Sequence, residues 1–333
     1  MATSRGASNG RRASARARAN FALVKYWGKA DSKLNVPAVG SISITLDALW
    51  SDTDVEFDAR LPSDELLLDG QRRADQLAKV SACLDLLRER AGVAWRARVV
   101  SANNFPTGAG LASSASGFAA LVTAASAALG LELAPRELSV LARRGSGSAA
   151  RSLFGGFVEM HAGRAADGLD SYAEPLLERD AWPLEVAIAV TATQEKDVGS
   201  RSGMERSAES SPYYPAWVAT QTADLAAARA AIRARDFAAL AEVAERSCLK
   251  MHAAAIAANP PLLYWNGATV ECVHAIRRLR ASGVPVFFTI DAGPQVKAIC
   301  LAEGRPRVEA ELRSVPGVLD VLSSRLGPGA ELR

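Results

Sequence analysis

Residues 103–118 read Asn-Asn-Phe-Pro-Thr-Gly-Ala-Gly-Leu-Ala-Ser-Ser-Ala-Ser-Gly-Phe, a loop of small residues that passes straight into an apolar run. Pro106, Gly108 and Gly110 punctuate the loop. Ser113 and Ser114 are N-cap residue types. Behind them Ala115, Phe118, Leu121 and Val122 recur at helical spacing. A loop poor in side chains lets another molecule approach the backbone, and a helix start offers free N–H groups at the positive end of a dipole. The stretch therefore predicts an anion site, most often one for phosphate. A tight turn packed under a buried helix would use the same residues. No Gly-Lys-Ser/Thr follows, so this is not a P-loop. Gly108-x-Gly110 lacks the third glycine of the dinucleotide fingerprint.

A chain of 333 residues is long for one core, so two packed lobes are expected. A net charge of +3 is too small to imply nucleic acid across the whole surface. No apolar run reaches the roughly 18 residues needed to span a bilayer. Cys83, Cys248, Cys272 and Cys300 lie far apart without a C-x-x-C pair, which reads as reduced thiols in a cytosolic protein. His161, His252 and His274 have no zinc-ligand spacing. Residues 1–18 hold Arg5, Arg11, Arg12, Arg16 and Arg18 and no acid, which reads as a disordered basic tail. An organellar transit peptide or an RNA- or membrane-touching arm would share that composition.

From Ala19 the chain reads as a buried strand that ends where Lys25 and Lys29 bracket Tyr26, Trp27 and Gly28. Two ammonium groups and a phenol at a strand end suit a polyanion. A strand leaving the core with solvated lysines would look the same. Residues 36–46 set Ser41, Ser43 and Thr45 against Ile42, Ile44 and Leu46, a half-buried strand. Further strands are expected over 52–59, 66–70 and 95–100, an amphipathic helix over 73–90, a helix to about 128, and a short one over 138–144. In residues 143–153, if Ser148 opens a helix, Arg151 lies one turn along on the same side. Its guanidinium could then fork onto a carboxylate or phosphate beside the serine donors. A Gly-Ser linker shares that composition, but the run continues directly into an apolar strand over 154–160.

Residues 163–180 read as a loop, with a lobe boundary near Trp182 and a strand over 184–193. Residues 194–211, with Lys196, Asp197, Ser200 and Arg201, read as a mobile polar segment. Helices follow over 216–235, 237–258 and 263–282, with His252 and His274 as structural residues. Residues 285–295 form a strand that ends at one carboxylate, Asp291, against Ala-Gly-Pro. That carboxylate is poised to face a cleft or to cap an Asx-type turn. A helix over 296–302 and a closing strand over 318–323 complete the expectation.

Five stretches, in order, resemble the diphosphomevalonate decarboxylases of the GHMP kinase superfamily. They are Asn-x-Ala-x-x-Lys-Tyr-Trp-Gly-Lys (20–29), the Pro-x-x-x-Gly-Leu-x-Ser-Ser-Ala loop with its flanks, Arg-x-Gly-Ser-Gly-Ser-Ala-x-Arg-Ser-Leu (143–153), Gly203-Met204, and Thr-x-Asp-Ala-Gly-Pro (289–294). The resemblance implies an α+β, GHMP kinase fold. It would have a ribosomal-protein-like N-terminal lobe (19–182) and a ferredoxin-like C-terminal lobe (183–333), with the active site in the cleft. It implies ATP and Mg²⁺, with Asn104, Pro106, Gly108, Gly110, Leu111, Ala112, Ser113, Ser114 and Ser200 on the nucleotide. Lys25, Tyr26, Lys29, Ser146 and Ser148 would bind the substrate diphosphate, Ser41 would add to the substrate site, and Arg151 would take the carboxylate. Asp291 would act on the substrate hydroxyl, with Arg151 and Lys25 as its catalytic companions. No metal ligand is singled out. The implied reaction turns diphosphomevalonate into isopentenyl diphosphate, ADP, phosphate and CO₂. The implied protein is a cytoplasmic homodimer without nucleic-acid or membrane partners.

Val39-Gly40 stands where the family shows Asn-Ser, and Arg201 where it commonly shows Thr. These departures leave open a relative acting on mevalonate 5-phosphate, or a 3-kinase without decarboxylation. A non-catalytic nucleotide- or RNA-binding module is the reading from another class, and Asp291 and Arg151 count against it.

Overall fold

The computed structural model of the chain describes residues 10–105, 111, 113–194 and 197–333. Its organising element is one long antiparallel pair. Strand β1 (Gly10–Val24) runs against β4 (Ser41–Asp58) from Gly10↔Asp58 to Val24↔Ile42, with register shifts after Arg18 and after Ala22. The sequence dictates this pairing. Ala15, Ala17, Ala19, Phe21 and Leu23 alternate along β1 and are fully buried, as a strand with one covered face requires.

That alternation corrects the disordered basic tail at its inner half. Residues 10–18 belong to β1. Arg11 lies on the alanine side and donates to Leu129 O, while Arg12, Arg16 and Arg18 lie on the strand's other face. There Arg16 Nε donates to Asp52 Oδ1 at 2.7 Å and Arg18 to Glu331 Oε1 at 2.9 Å. The charge in this stretch was legible, but the period-two alanines beneath it went unread. Residues 1–9 lie outside the described residues.

The first sheet has the order β14-β1-β4-β7-β5-β6, with β8 beside β4 and β9 beside β8. Its other strands are β5 (Glu65–Leu68), β6 (Gln71–Arg72), β7 (Arg96–Asn103), β8 (Phe157–Met160), β9 (Ala173–Leu177) and β14 (Glu331–Leu332). A small ribbon, β2 (Lys29–Asp31) with β3 (Val36–Pro37), lies between β1 and β4 in the chain. Helices α1 (Ala74–Ala91), α2 (Ser113–Ala128), α3 (Pro135–Gly145) and α4 (Ala149–Ser152) belong to this part of the chain. Val80, Leu84 and Leu87 of α1 and Phe118, Leu121 and Val122 of α2 form one core with Val55, Phe57 and Val99 of the sheet.

The second sheet has the order β11-β12-β10-β13, built from β10 (Glu185–Val190), β11 (Val286–Ile290), β12 (Val296–Cys300) and β13 (Asp320–Arg325). With it go α5 (Ser200–Ser210), α6 (Tyr214–Ala234), α7 (Phe237–Ile256), α8 (Gly267–Ala281) and α9 (Arg305–Ser314). Phe21, Leu23, Ile42 and Ile44 of the first sheet share a core with Val186, Ile188, Phe287 and Ile299 of the second. The last residues then return to the first sheet, where Leu332 pairs with Ala15 of β1. A simple cut near Trp182 therefore divides the sheets but not the chain ends.

Four local expectations are corrected. Residues 296–300 are the strand β12, not a helix. An inner strand covered on both faces shows no alternation to read. The polar segment over 194–211 contains the helix α5, and the loop over 163–180 contains β9. The third long helix starts at Gly267, where Asn266 Oδ1 accepts from Thr269 N at 2.9 Å.

The shared core makes a stability prediction. Phe157 is fully buried on β8 and stacks on Trp182 at 5.5 Å. Phe157→Ala is expected to cost about 3–5 kcal/mol in urea unfolding. A loss below about 1 kcal/mol would show that the ring does not join the two sheets' packing.

Candidate active site

The backbone after β1 is pinned before any ligand arrives. Lys25 N donates to Ser247 Oγ of α7 at 2.9 Å, and Gln221 Nε2 of α6 donates to Lys25 O at 2.7 Å. Trp217 Nε1 donates to Trp27 O at 3.0 Å. Gly28 follows with φ +100, under the ring of Tyr214, where a Cβ would come within 1.9 Å of the hydroxyl. Only glycine fits such a position. These contacts turn the side chains of Lys25, Tyr26 and Lys29 onto the wall of a cavity of about 390 Å³.

Asp291 enters the same cavity from the end of β11. Lys25 Nζ donates to its Oδ1 at 2.5 Å, and Lys297 Nζ of β12 stands 3.6 Å from its Oδ2. Burial alone would raise the Asp291 pKa, but the two ammonium groups outweigh it and hold the carboxyl at about 2. Burial pushes Lys297 down to about 8. His252, on α7, bonds through Nε2 to Ile290 O at 3.2 Å, and burial drives its pKa to about 3. It is a neutral prop beside Asp291, in keeping with its reading as structural.

Ser148 precedes α4, so Arg151 lies one turn along, as the sequence predicts. Its Nη1 donates to Ser41 Oγ at 2.7 Å and its Nε to Asn20 Oδ1 at 3.1 Å, and burial lowers its pKa to about 10. Asn20 in turn donates to Ser148 O and Ser152 Oγ. Ser41 is fully buried behind the guanidinium and is not on the cavity wall, which corrects its expected contact with substrate. It supports the group that does face the cavity.

Toward the mouth, Lys29 Nζ donates to Asn35 Oδ1 at 2.5 Å, and Arg201 Nη2 of α5 reaches the same oxygen at 3.4 Å. Burial, with Arg201 next in weight, lowers Lys29 to about 8. The hydroxyls of Ser146 and Ser148 lie 3.3 Å apart, and Ser114 Oγ is 3.4 Å from Ser146 Oγ. Helix α2 begins at Ser113, so Ser113 and Ser114 stand at its N-terminal end. Ser200 opens α5 on the same wall.

Two of the expected nucleotide residues are engaged elsewhere. The amide of Asn104 accepts from Trp50 N and donates to Ala48 O, both at 2.7 Å, so it holds the start of the loop onto β4. Leu111 is a core residue. Pro106, Gly108, Gly110 and Ala112 lie outside the described residues. Val39 packs on Trp27 and Met204, and Gly40 fits under Leu225 with no room for a Cβ. Neither lines the cavity, so this departure from the family motif strips no polar group from its wall.

Sequence reasoning missed a second cavity of about 420 Å³ that shares Lys79, Ser113, Ser114 and Gly199 with the first. Leu66, Leu68, Val80, Val99, Phe118 and Leu121 form its apolar side, and Thr53, Ser101, Asn103, Arg73, Asp75 and Gln76 its polar one. An apolar slot against a helix N-terminus suits a nucleoside whose phosphates lie on that N-terminus. The residues of the slot read as ordinary core on strands and helices, so no local motif marks them. Lys297 and Asn35 were also missed, the first because its strand was read as a helix.

Among the described residues no three His, Cys, Asp or Glu side chains are grouped to hold a metal, and Asp291 is the one carboxylate on the first cavity's wall. Magnesium fits here as the ion of a nucleotide, held by phosphate oxygens, with Ser113 and Ser114 as the hydroxyls at hand.

A family model described as the diphosphomevalonate decarboxylase-like N-terminal domain matches residues 17–173. One described as the mevalonate 5-diphosphate decarboxylase C-terminal domain matches 186–317. The chain belongs to the diphosphomevalonate decarboxylase family. The enzyme of that name from Eremothecium gossypii is 39% identical over 330 residues, 92% of this chain and 82% of its own length. The crystal structure of mevalonate diphosphate decarboxylase from Staphylococcus aureus is 38% identical, with a TM-score of 0.91 over 97% of this chain and 98% of that one. A structure of MDDEF in complex with MVAPP, AMPPCP and magnesium is 40% identical, with a TM-score of 0.90 over 97% and 99% of the two chains. The α+β architecture is that of the family, the GHMP kinase fold.

Ser41 provides a test of this construction. Ser41→Ala removes a hydrogen bond to a buried cation and is expected to lower kcat/KM by about ten- to a hundredfold, with the circular dichroism spectrum unchanged. Full activity would show that Arg151 does not need this support.

Proposed function

We propose that the chain is an ATP-dependent decarboxylase of (R)-5-diphosphomevalonate, yielding isopentenyl diphosphate, ADP, phosphate and CO₂. One observation carries the reading. Among the described residues the first cavity places one ionised carboxylate, Asp291, with Lys25, Lys29, Arg151 and Arg201, which is the charge pattern for an anionic substrate with one hydroxyl to be activated.

The nucleoside occupies the apolar slot, and its phosphates run along the N-terminus of α2 toward the first cavity. The substrate diphosphate lies at the mouth, against Tyr26, Lys29, Ser146, Ser148 and Arg201. Its carboxylate reaches inward to Arg151, and its tertiary hydroxyl to Asp291. Asp291 accepts that hydroxyl's hydrogen bond and takes its proton as the oxygen attacks the γ-phosphorus of ATP. Lys25 keeps the carboxylate oriented and offsets charge that develops nearby. The new phosphate ester is a leaving group. The C–O bond to it breaks as the C–C bond to the carboxylate breaks, and the electron pair of the latter becomes the double bond. Bound Mg²⁺ neutralises the nucleotide phosphates. For assembly and location we read a cytoplasmic homodimer. The four cysteines are free thiols in buried sites, and no helix among the described residues is long and apolar enough to cross a membrane.

An ATP-dependent CO₂-release assay on mevalonate, its 5-phosphate and its 5-diphosphate tests the reaction. Release from the diphosphate alone is expected. Release from the monophosphate, or ADP formation without CO₂, would overturn the substrate assignment. Asp291→Asn is expected to bind ATP normally and to lose at least about a hundredfold in kcat, and near-normal turnover would remove it from the chemistry.

Lys29 adds a pH dependence. Its pKa of about 8 means that the ammonium discharges as pH rises through that value, so KM for the diphosphate should rise above it. Lys29→Arg keeps its charge and is expected to abolish that rise in KM. If the rise persists in Lys29→Arg, Lys29 is not its source.

A further inference from the structure

Strand β12 is an inner strand, and every residue of it is buried. Among Val296, Ala298, Ile299 and Cys300 it carries Lys297, whose side chain is only 1% exposed. The register sets Lys297 between Ile188 of β10 and Thr289 of β11. Its ammonium lies 4.3 Å from the centre of the Phe21 ring on β1 and 3.6 Å from Asp291 Oδ2. An aliphatic side chain would cost the core less, because an ammonium loses its hydration on burial.

Asp291 therefore has an ammonium group against each oxygen, Lys25 on Oδ1 and Lys297 on Oδ2. Among the described residues, the Arg151 guanidinium from α4 and the Cys248 thiol and His252 imidazole from α7 also act on this pair, and the Tyr26 ring stands against Arg151. Burial raises the thiol's pKa and lowers the imidazole's, so both are neutral around pH 7. Among the described residues, fixed charge at the inner end of the cavity is thus three cations, Lys25, Lys297 and Arg151, against one anion. Anionic substrates that fill the cavity raise the proton affinity of any carboxylate beside them.

We propose that Lys297 is a positioning residue for Asp291: by holding the second carboxylate oxygen it keeps the group ionised and aimed at the substrate hydroxyl while the polyanions are bound. The proposal rests on the decarboxylase reading for the identity of that hydroxyl. Its core, the coupling of Lys297 to Asp291, needs no turnover to observe.

The test compares Lys297→Met, which keeps the length and loses the charge, with Lys297→Arg, which keeps the charge. In Lys297→Met the acid limb of the kcat/KM profile is expected to move up by about one to three pH units, with kcat lower and KM for ATP little changed. In Lys297→Arg the limb should stay near its wild-type position. An unmoved limb in Lys297→Met would overturn the proposal and leave Lys297 as packing.

Should Lys297→Met fail to fold, the wild-type chain decides. The ¹³C carboxyl resonance of Asp291, assigned by its loss in Asp291→Asn, is expected to shift as the pH rises through about 8 and Lys297 discharges. A resonance that does not respond overturns the coupling. A wild-type chain that releases no CO₂ from any of the mevalonate substrates would sink the functional reading alone, and the carboxyl titration would still judge the proposal.

Discussion

The ion pair between Lys25 and Asp291 is the point where the molecule closes. Lys25 stands just past β1 in the first sheet, Asp291 just past β11 in the second, and their side chains meet at 2.5 Å in a buried place. Such a pair contributes little net stability, because desolvating two charges offsets most of their attraction. Hydrophobic contacts hold the sheets together instead, through the core that runs from Phe21 and Ile44 to Ile188 and Phe287. The pair is thus free to serve chemistry. The apolar core fixes where the two strand ends lie, and the strand ends fix where the charges meet.

The same division appears on the substrate side. Arg151 does not owe its place to a carboxylate of this chain. Neutral groups, Asn20 and Ser41, hold its guanidinium by hydrogen bonds, and Asp291 acts on it only across the cavity. Asn35 does the same for Lys29 and Arg201, accepting from both through one amide oxygen. Neutral support around cations is what an anion site requires. An acidic partner would anchor them equally well, but it would repel the incoming phosphates and satisfy the cations in advance.

What the sequence made legible was local. Ser148 before α4 and the Asp291-Ala-Gly-Pro end of β11 stand in short runs whose composition favours a turn, and both were read from the sequence, whereas the positive φ of Gly28 was not. The second cavity was illegible for a physical reason. Leu66, Val99 and Phe118 come from β5, β7 and α2, each periodic in its own element, and only their assembly leaves a space. Lys297 was lost for a related reason. In a strand covered on both faces, one lysine among apolar residues has no pattern to mark it.

Val39-Gly40 shows the limit of reasoning from a motif without its packing. Polar residues missing from a motif suggest a changed wall, and a changed wall suggests a changed substrate. In the structure Gly40 lies under Leu225 and beside the Met160 carbonyl, so tightly that a Cβ would come within about 3 Å of both. Its carbonyl accepts from Gln221, the same amide that pins Lys25. The change belongs to the joint between β4 and α6, which sets the backbone of the site from behind. On the proposed reading, the groups that would meet the phosphates come instead from the β1 end, from the turn before α4 and from α5. On that reading, discrimination between one phosphate and two would rest on Lys29 and Arg201 at the mouth, and not on the pair whose identity departs from the family.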